Sequence, residues 1–277
     1  MTFRINTNTS SIAAQRALGI TKNNLDSNFR KLSSGERITR ASDDAAGLAI
    51  SEKLKAQIRG LRQAKRNSDD GISLIQTAEG GLNEISSIII RLRELSIQSA
   101  SDTIGDTERK FSDLEFQNLL QEVDRISASS EFNGRKLLNG QGGLVEIQVG
   151  IYNDPFNDRI KYDSSTTDAT LERLGLANES ISLKEGAQQS LSRLDEALVR
   201  VNGTRANLGA LQNRLQSASN NIAVNEENLS AANSRIRDVD VASETADLAK
   251  NNILAQAGAS VLAQANQAPN LALKLLE

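Results

Sequence analysis

Histidine and cysteine are both absent from this chain, so its carboxylate pairs are the side chains to weigh first as catalytic acids and bases. Their absence removes the commonest general base, thiolate nucleophiles, disulfide staples and the usual zinc ligands. Three acidic pairs remain to be weighed: Asp43-Asp44, Asp69-Asp70 and Glu226-Glu227. Adjacent helical residues point about 100° apart, so such pairs do not converge on a substrate; solvated helix faces or helix caps explain them better. The glycine run Gly140-Gln141-Gly142-Gly143 lacks a following Lys and Ser/Thr and is therefore a turn, not a phosphate-binding loop. Arg59, Arg62, Lys65 and Arg66 are helix-spaced, but no aromatic residues interleave with them to stack bases, so they too read as a solvated face. No catalytic, metal or cofactor site emerges, and the reading is a non-enzyme that needs no cofactor.

Composition points the same way. A formal net charge of −3 over 277 residues gives no broad attraction for nucleic acid or anionic lipid. No window approaches the ~20 consecutive apolar residues of a membrane span, so membrane insertion is not expected. The polar start, Met1 to Asn6, lacks the apolar core of a cleavable secretory signal, and export would use another route. Aromatics at 3% and only two prolines suit long helices in close contact better than a thick globular core, and the expected shape is elongated.

The elements that must carry function are therefore helical seams. In the C-terminal half every seventh residue is aliphatic: Leu194, Val201, Leu208, Leu215, Ile222, Leu229 and Ile236. A helix over this span would be about 64 Å long. The N-terminal half has Leu54, Leu61, Ile75, Leu82 and Ile89 on a similar grid, interrupted by Ser68, with Ala64, Gly71, Ala78, Ile85 and Leu92 at the three-residue offset. These complementary stripes predict two long helices that pack together.

A third helix is expected over roughly 106 to 129, with Asp106 or Thr107 as N-cap and Leu119, Val123 and Ile126 on one face. Val145, Ile147 and Val149 alternate with polar residues, and Ile160 and Tyr162 resume the alternation after a turn-rich stretch, which predicts a β-hairpin. At the ends of the chain, Leu18, Leu25 and Leu32 form a thin stripe closed by Gly35, and Leu254, Val261 and Ala265 form another. Isolated helices with such narrow stripes are marginal in water, so the ends should order against each other or against neighbouring chains. The fold class is mainly α: a hairpin of long coiled-coil helices with a small β-hairpin region.

Several segments carry a resemblance. Ile5-Asn6-Thr7-Asn8, Leu32 through Ile38, and Asp43 through Ile50 resemble the N-terminal signature of bacterial flagellins, as does Arg93 through Ala100. Glu131-Phe132-Asn133-Gly134 follows the third helix as it does in flagellins, and Ser234 through Asp238 and Leu262 through Gln267 resemble the family's C-terminal signature. The resemblance covers nearly the whole chain. It implies an inner coiled-coil domain from residues 1–40 and 237–277. A rod domain would comprise 41–139 with two helices, 140–180 with the β-hairpin, and the helix of 181–236. Only about residues 140 to 180 separate the halves, so this resembles a short form without large outer domains.

Function by resemblance is that of a structural subunit polymerising into the filament used for swimming. The implied partners are further copies of itself, an export chaperone, a filament cap protein and a hook-associated junction protein. The implied location is extracellular, in the flagellum, reached through the type III export apparatus. Arg91 and Glu94 resemble positions by which some flagellins contact an innate immune receptor, whereas Ile90 and Gln121 depart from that pattern. Ser164-Ser165-Thr166-Thr167 reads either as an exposed glycosylation stretch or as an unmodified loop. A junction protein of the same superfamily shares the terminal architecture, but the motifs at 93–100 and 131–134 favour a flagellin. A coiled-coil signalling rod, the alternative from another class, should carry a membrane span or input domain.

Overall fold

The structure is a computed structural model and describes residues 7–274. Among these residues there are six α-helices and two small antiparallel sheets. The helices are α1 (Thr9–Ser34), α2 (Ala45–Ser99), α3 (Asp106–Ser129), α4 (Leu171–Leu174), α5 (Lys184–Arg237) and α6 (Val241–Lys274). The strands are β1 (Glu131–Phe132), β2 (Arg135–Lys136), β3 (Leu144–Gln148) and β4 (Arg159–Asp163), followed by a short 3-10 helix at Ser164–Thr167. The chain divides into two compact units, one spanning Gln57–Glu227 and one made from the segments on either side.

Within the Gln57–Glu227 unit, α2 and α5 run antiparallel along the seam that the heptads describe. Arg62 pairs with Glu226 (2.6 Å), Ser219 Oγ donates to Asp69 (3.3 Å), Arg205 lies 3.9 Å from Glu79, and Arg93 pairs with Asp195 (2.7 Å). Numbers rise on one helix as they fall on the other, which fixes the register. Beneath these rim contacts Leu61, Ile75, Leu82 and Ile89 of α2 and Leu194, Val201, Leu208, Leu215 and Ile222 of α5 are buried. Leu54, Leu229 and Ile236, the remaining members of the two grids, belong to the other unit and are half-buried. Ser68, the interruption in the α2 grid, is fully buried and donates to the Ala64 carbonyl (3.0 Å), so the hydroxyl is satisfied inside its own helix.

Helix α3 has the expected span, but its cap and face differ from the sequence reading. Gly105 is the N-cap, and Asp106 instead pairs with the buried Arg109 (2.7 Å). That guanidinium also donates to the carbonyls of Ser99 and Ser101 (2.9 Å each), satisfying acceptors where α2 ends. The buried face runs through Phe116, Leu120, Val123 and Ser127, while Leu119 and Ile126 are half-buried flanks. Scoring apolar type alone misplaced the stripe, because Arg109 and Ser127 are among its buried members.

The expected hairpin forms, and the structure sets its register, with Val145 opposite Tyr162 and Ile147 opposite Ile160. It lies close against α2 because α2 supplies glycine there: a Cβ on Gly71 would stand 2.7 Å from Ile147 Cδ1 and 3.3 Å from Leu215 Cδ1. Around it are elements that the sequence reading did not resolve. β1 and β2 pair through the two-residue loop Asn133-Gly134, both at positive φ, and α4 ends at Gly175. Tyr162 donates to the Leu137 carbonyl (3.0 Å) and meets Thr167 Oγ1 (2.9 Å); burial pushes its phenol above the usual range.

Leu215 faces both the α2 seam and the hairpin side chain that reaches Gly71. Leu215→Asp should therefore cost several kcal/mol in the folding of this unit, since it places an unpaired charge in a fully buried site. Urea unfolding followed by far-UV circular dichroism checks this, with a lowered midpoint expected.

Candidate assembly site

Helices α1 and α6 pair antiparallel in the second unit, and their facing residues follow a coiled-coil spacing. On α1 the buried or half-buried positions include the series Ser11, Ala14, Leu18, Thr21, Leu25, Asn28 and Leu32. These alternate three and four residues apart, as a seam requires. On α6 the same rhythm runs through Glu244, Leu248, Asn251, Ala255, Gly258, Leu262 and Ala265. Leu18 packs over Gly258, where an added Cβ would stand 3.1 Å from Leu18 Cδ1. At one end Asn8 caps α1 through Ser11 N (3.0 Å) and donates to the Ala265 carbonyl (2.8 Å), while Ser11 Oγ donates to Asn266 (2.7 Å). Toward the other, Lys31 pairs with Glu244 (3.3 Å).

Two residues assigned to the C-terminal stripe are not on this seam. Leu254 and Val261 are 47% and 57% exposed, so they lie away from α1, and Ile253 beside them is 66% exposed. Their hydrophobicity made them conspicuous, whereas the true seam mixes small and polar residues. The seven-residue grids 244/251/258/265 and 248/255/262 were the signal that could have found it. Among the described residues, α6 thus carries apolar side chains away from the face that α1 covers. Helix α1 likewise leaves Ile12, Ile20 and Phe29 about half exposed.

Both chain segments break beside each other, between α1 and α2 and between α5 and α6. Glu36 and Asp238 form an antiparallel bridge, Arg37 N donates to the Arg237 carbonyl (2.6 Å), and Val239 N donates to the Gly35 carbonyl (3.0 Å). Gly35 closes α1 in the left-handed conformation (φ 70°). The Arg237 guanidinium, whose side chain is 13% exposed, lies 2.8 Å from Glu36 Oε1 and also binds Glu52; these carboxylates hold it above its usual range. Asp44 caps α2 through Gly47 N (2.8 Å), and Asp240 caps α6 through Ala242 N (3.0 Å). Asp43 accepts from Thr39 Oγ1 (3.0 Å), Arg40 N (2.9 Å) and Thr39 N (3.1 Å). The first two acidic-pair carboxylates are therefore caps and loop clasps.

Comparison with known proteins decides what this arrangement belongs to. A model of the bacterial flagellin N-terminal helical region matches residues 5–142, and one of the flagellin C-terminal helical region matches residues 191–276. The chain belongs to the flagellin family. A flagellin of Halalkalibacterium halodurans is 47% identical over 98% of this chain and 99% of its own length. The flagellar filament 30.7 kDa core protein of Treponema maltophilum is 45% identical, covering 96% of this chain and 98% of its own. Among solved structures, the crystal structure of Bacillus cereus flagellin aligns with a TM-score of 0.51 at 29% identity, covering 57% of this chain and 88% of that one. The N-terminal motif begins at Ile5-Asn6, which lie outside the described residues.

Elsewhere on this flagellin chain, Arg91 pairs with Glu94 (2.9 Å) and also with Glu115 on α3 (2.9 Å), a partner the sequence reading did not name. Ile90 is 48% exposed beside them. Of the four hydroxyl residues read as a glycosylation stretch, Ser164 and Thr167 are buried in the 3-10 helix, and Thr167 donates to the Leu137 carbonyl (2.8 Å). Only Ser165 and Thr166 are exposed.

The Asp43 clasp has a pH signature. Its hydrogen bond from Thr39, followed by that from the Arg40 amide, lowers its carboxyl from the ordinary value of 3.8. The stabilisation it contributes is complete above that ordinary value and is lost as pH falls through the lower value of the folded chain. Asp43→Asn should accordingly destabilise the segment between α1 and α2 at neutral pH, with the difference from the native chain vanishing in strong acid. Hydrogen exchange of the Thr39 and Arg40 amides against pH measures it.

Proposed function

We propose that this flagellin acts through the uncovered faces of its α1·α6 pair, which are buried against other copies when subunits polymerise. Flagellins are structural proteins, and the chain is a subunit of the flagellar filament, as its filament core relatives support. The observation that carries the assembly mechanism is the second apolar face of α6, with Ile253, Leu254 and Val261 exposed in the single chain. Burying such side chains gains about 1.5–3 kcal/mol each, and repetition along a filament offsets the entropy of ordering both ends. The pair is thin within one chain, because its seam leucines are only half-buried. Its order is therefore completed by assembly.

The rest of the reading is proposed by resemblance to the family. The chain is held by an export chaperone, passes unfolded through the flagellar export apparatus, and adds beneath a cap protein onto hook-associated junction proteins. It works outside the cell, without catalysis or cofactor. Among the described residues no His, Cys, Asp and Glu side chains group in threes to hold a metal ion, and no helix is long and apolar enough to cross a membrane.

Leu254→Glu combined with Val261→Glu should abolish filaments, seen by sedimentation and electron microscopy, while the melting of the Gln57–Glu227 unit stays unchanged. In the native protein, amide exchange along α1 and α6 should slow markedly on polymerisation. Filaments from the doubly charged variant, or terminal helices equally protected in the monomer, would refute the mechanism.

Arg91 and Glu94 are proposed as a weak innate-receptor contact. Ile90 offers no hydrogen bond, Gln121 no charge, and Arg91 is already held by Glu94 and Glu115. A cell reporter assay should find low potency, and potency equal to that of a strongly recognised enteric flagellin would contradict this.

A further inference from the structure

The α1·α6 seam contains a polar layer that its apolar packing does not explain. Asn28 and Glu244 are 6% and 9% exposed, at seam positions where leucine would bury more apolar surface. Their polar atoms are satisfied across the helix pair and within α1. With its amide nitrogen toward Glu244, Asn28 donates to Glu244 Oε1 (3.2 Å) and to the Asn24 carbonyl (2.8 Å). Its oxygen accepts from the Leu248 amide (3.1 Å) and Asn251 Nδ2 (3.3 Å). Lys31 Nζ reaches both carboxylate oxygens of Glu244, at 3.3 and 3.4 Å. A second polar layer, Asn8 with the Ala265 carbonyl and Ser11 with Asn266, lies about 25 Å along the axis.

The apolar layers between them do not distinguish one alignment from the next. Leu18, Leu25 and Leu32 repeat every seven residues, and α6 presents small or aliphatic partners on the same repeat. A slip of one heptad preserves that pattern while breaking both polar layers. Slipping one way sets Glu244 over Leu25; slipping the other way carries Glu244 past the end of α1, away from Lys31, and sets Asn28 against Asn251 and Ala255. The first slip strands the carboxylate over Leu25, and the second breaks the Lys31–Glu244 pair and leaves Asn28 with a neutral amide in place of that carboxylate; each costs more than the native alignment loses by not being apolar.

We infer that Asn28, Lys31 and Glu244 are specificity residues for assembly: they set the register of α1 on α6 and so align the faces offered to other subunits. The role rests on the terminal pair being the assembly element, and its readout, the helix alignment, is scored separately from filament formation. The chain has no native cysteine, so introduced pairs report alignment without interference. Leu18→Cys with Gly258→Cys reports the native register, and Leu25→Cys with Gly258→Cys reports a one-heptad slip. Both are oxidised under polymerising conditions and scored as intrachain cross-links in denaturing gels, with polymer scored separately by sedimentation.

In the native background the first link should close and the second should stay at background. With Asn28→Leu and Glu244→Leu together, the seam gains apolar contact, and the slipped link should rise by about tenfold or more. Glu244→Gln, which keeps a hydrogen-bonding head of similar size, should leave the slipped link at background. The inference is overturned if the first link fails to close in the native background. It is also overturned if the slipped link closes there, stays at background in the double-leucine variant, or rises with Glu244→Gln.

Discussion

Burial of one helical stripe against another is the interaction on which every other feature of this chain depends. Without cysteine, and with few aromatics, a stripe gains stability only by finding a partner along its whole length. In the Gln57–Glu227 unit that condition is met inside the chain: the aliphatic residues of α2 and α5 bury one another, and ion pairs at the rim fix the antiparallel register. The surface-exposed pairs add little energy individually, and their contribution is alignment. In the terminal pair the same principle operates on a thinner seam, where polar groups supply the alignment and part of the apolar surface stays uncovered.

Small residues decide how closely the elements approach. Gly71 lets Ile147 of the hairpin and Leu215 of α5 meet at one point on α2, so three elements share a single contact. Gly258 does the same for Leu18 in the terminal pair. At Gly142 the limit is sharper, since a Cβ there would lie 1.9 Å from the Lys136 carbonyl oxygen. The glycine run that could not be a phosphate loop therefore acts in packing, as a close crossing of backbone over backbone.

Much of this was legible because periodicity reports burial directly. The α2 and α5 grids, the span of α3 and the existence of the β3–β4 hairpin follow from repeats of seven, three to four, and two residues. Legibility failed where burial and hydrophobicity part company. Arg109 is buried because it closes the end of α2, and Asn28 and Glu244 are buried because they satisfy each other; none of them scores as core. At Leu254 and Val261 the two part in the opposite sense, since these residues are apolar yet uncovered within one chain. The β1–β2 loop and α4 were too short to produce a period, and the bridge from Glu36 to Asp238 joins residues with no local relation.

The two-faced character of α6 has a thermodynamic consequence. Apolar surface covered by the chain's own α1 is buried at a fixed effective concentration, so that part of the stability is a property of the molecule. Surface covered by a neighbour obeys mass action, and its share grows with the logarithm of free subunit concentration. The transition of the Gln57–Glu227 unit is then independent of dilution, whereas that of the terminal helices shifts with it. Below a threshold concentration the ends lose their partners while the rest of the fold persists, so growth and dissolution of the polymer become a phase equilibrium written into one exposed stripe.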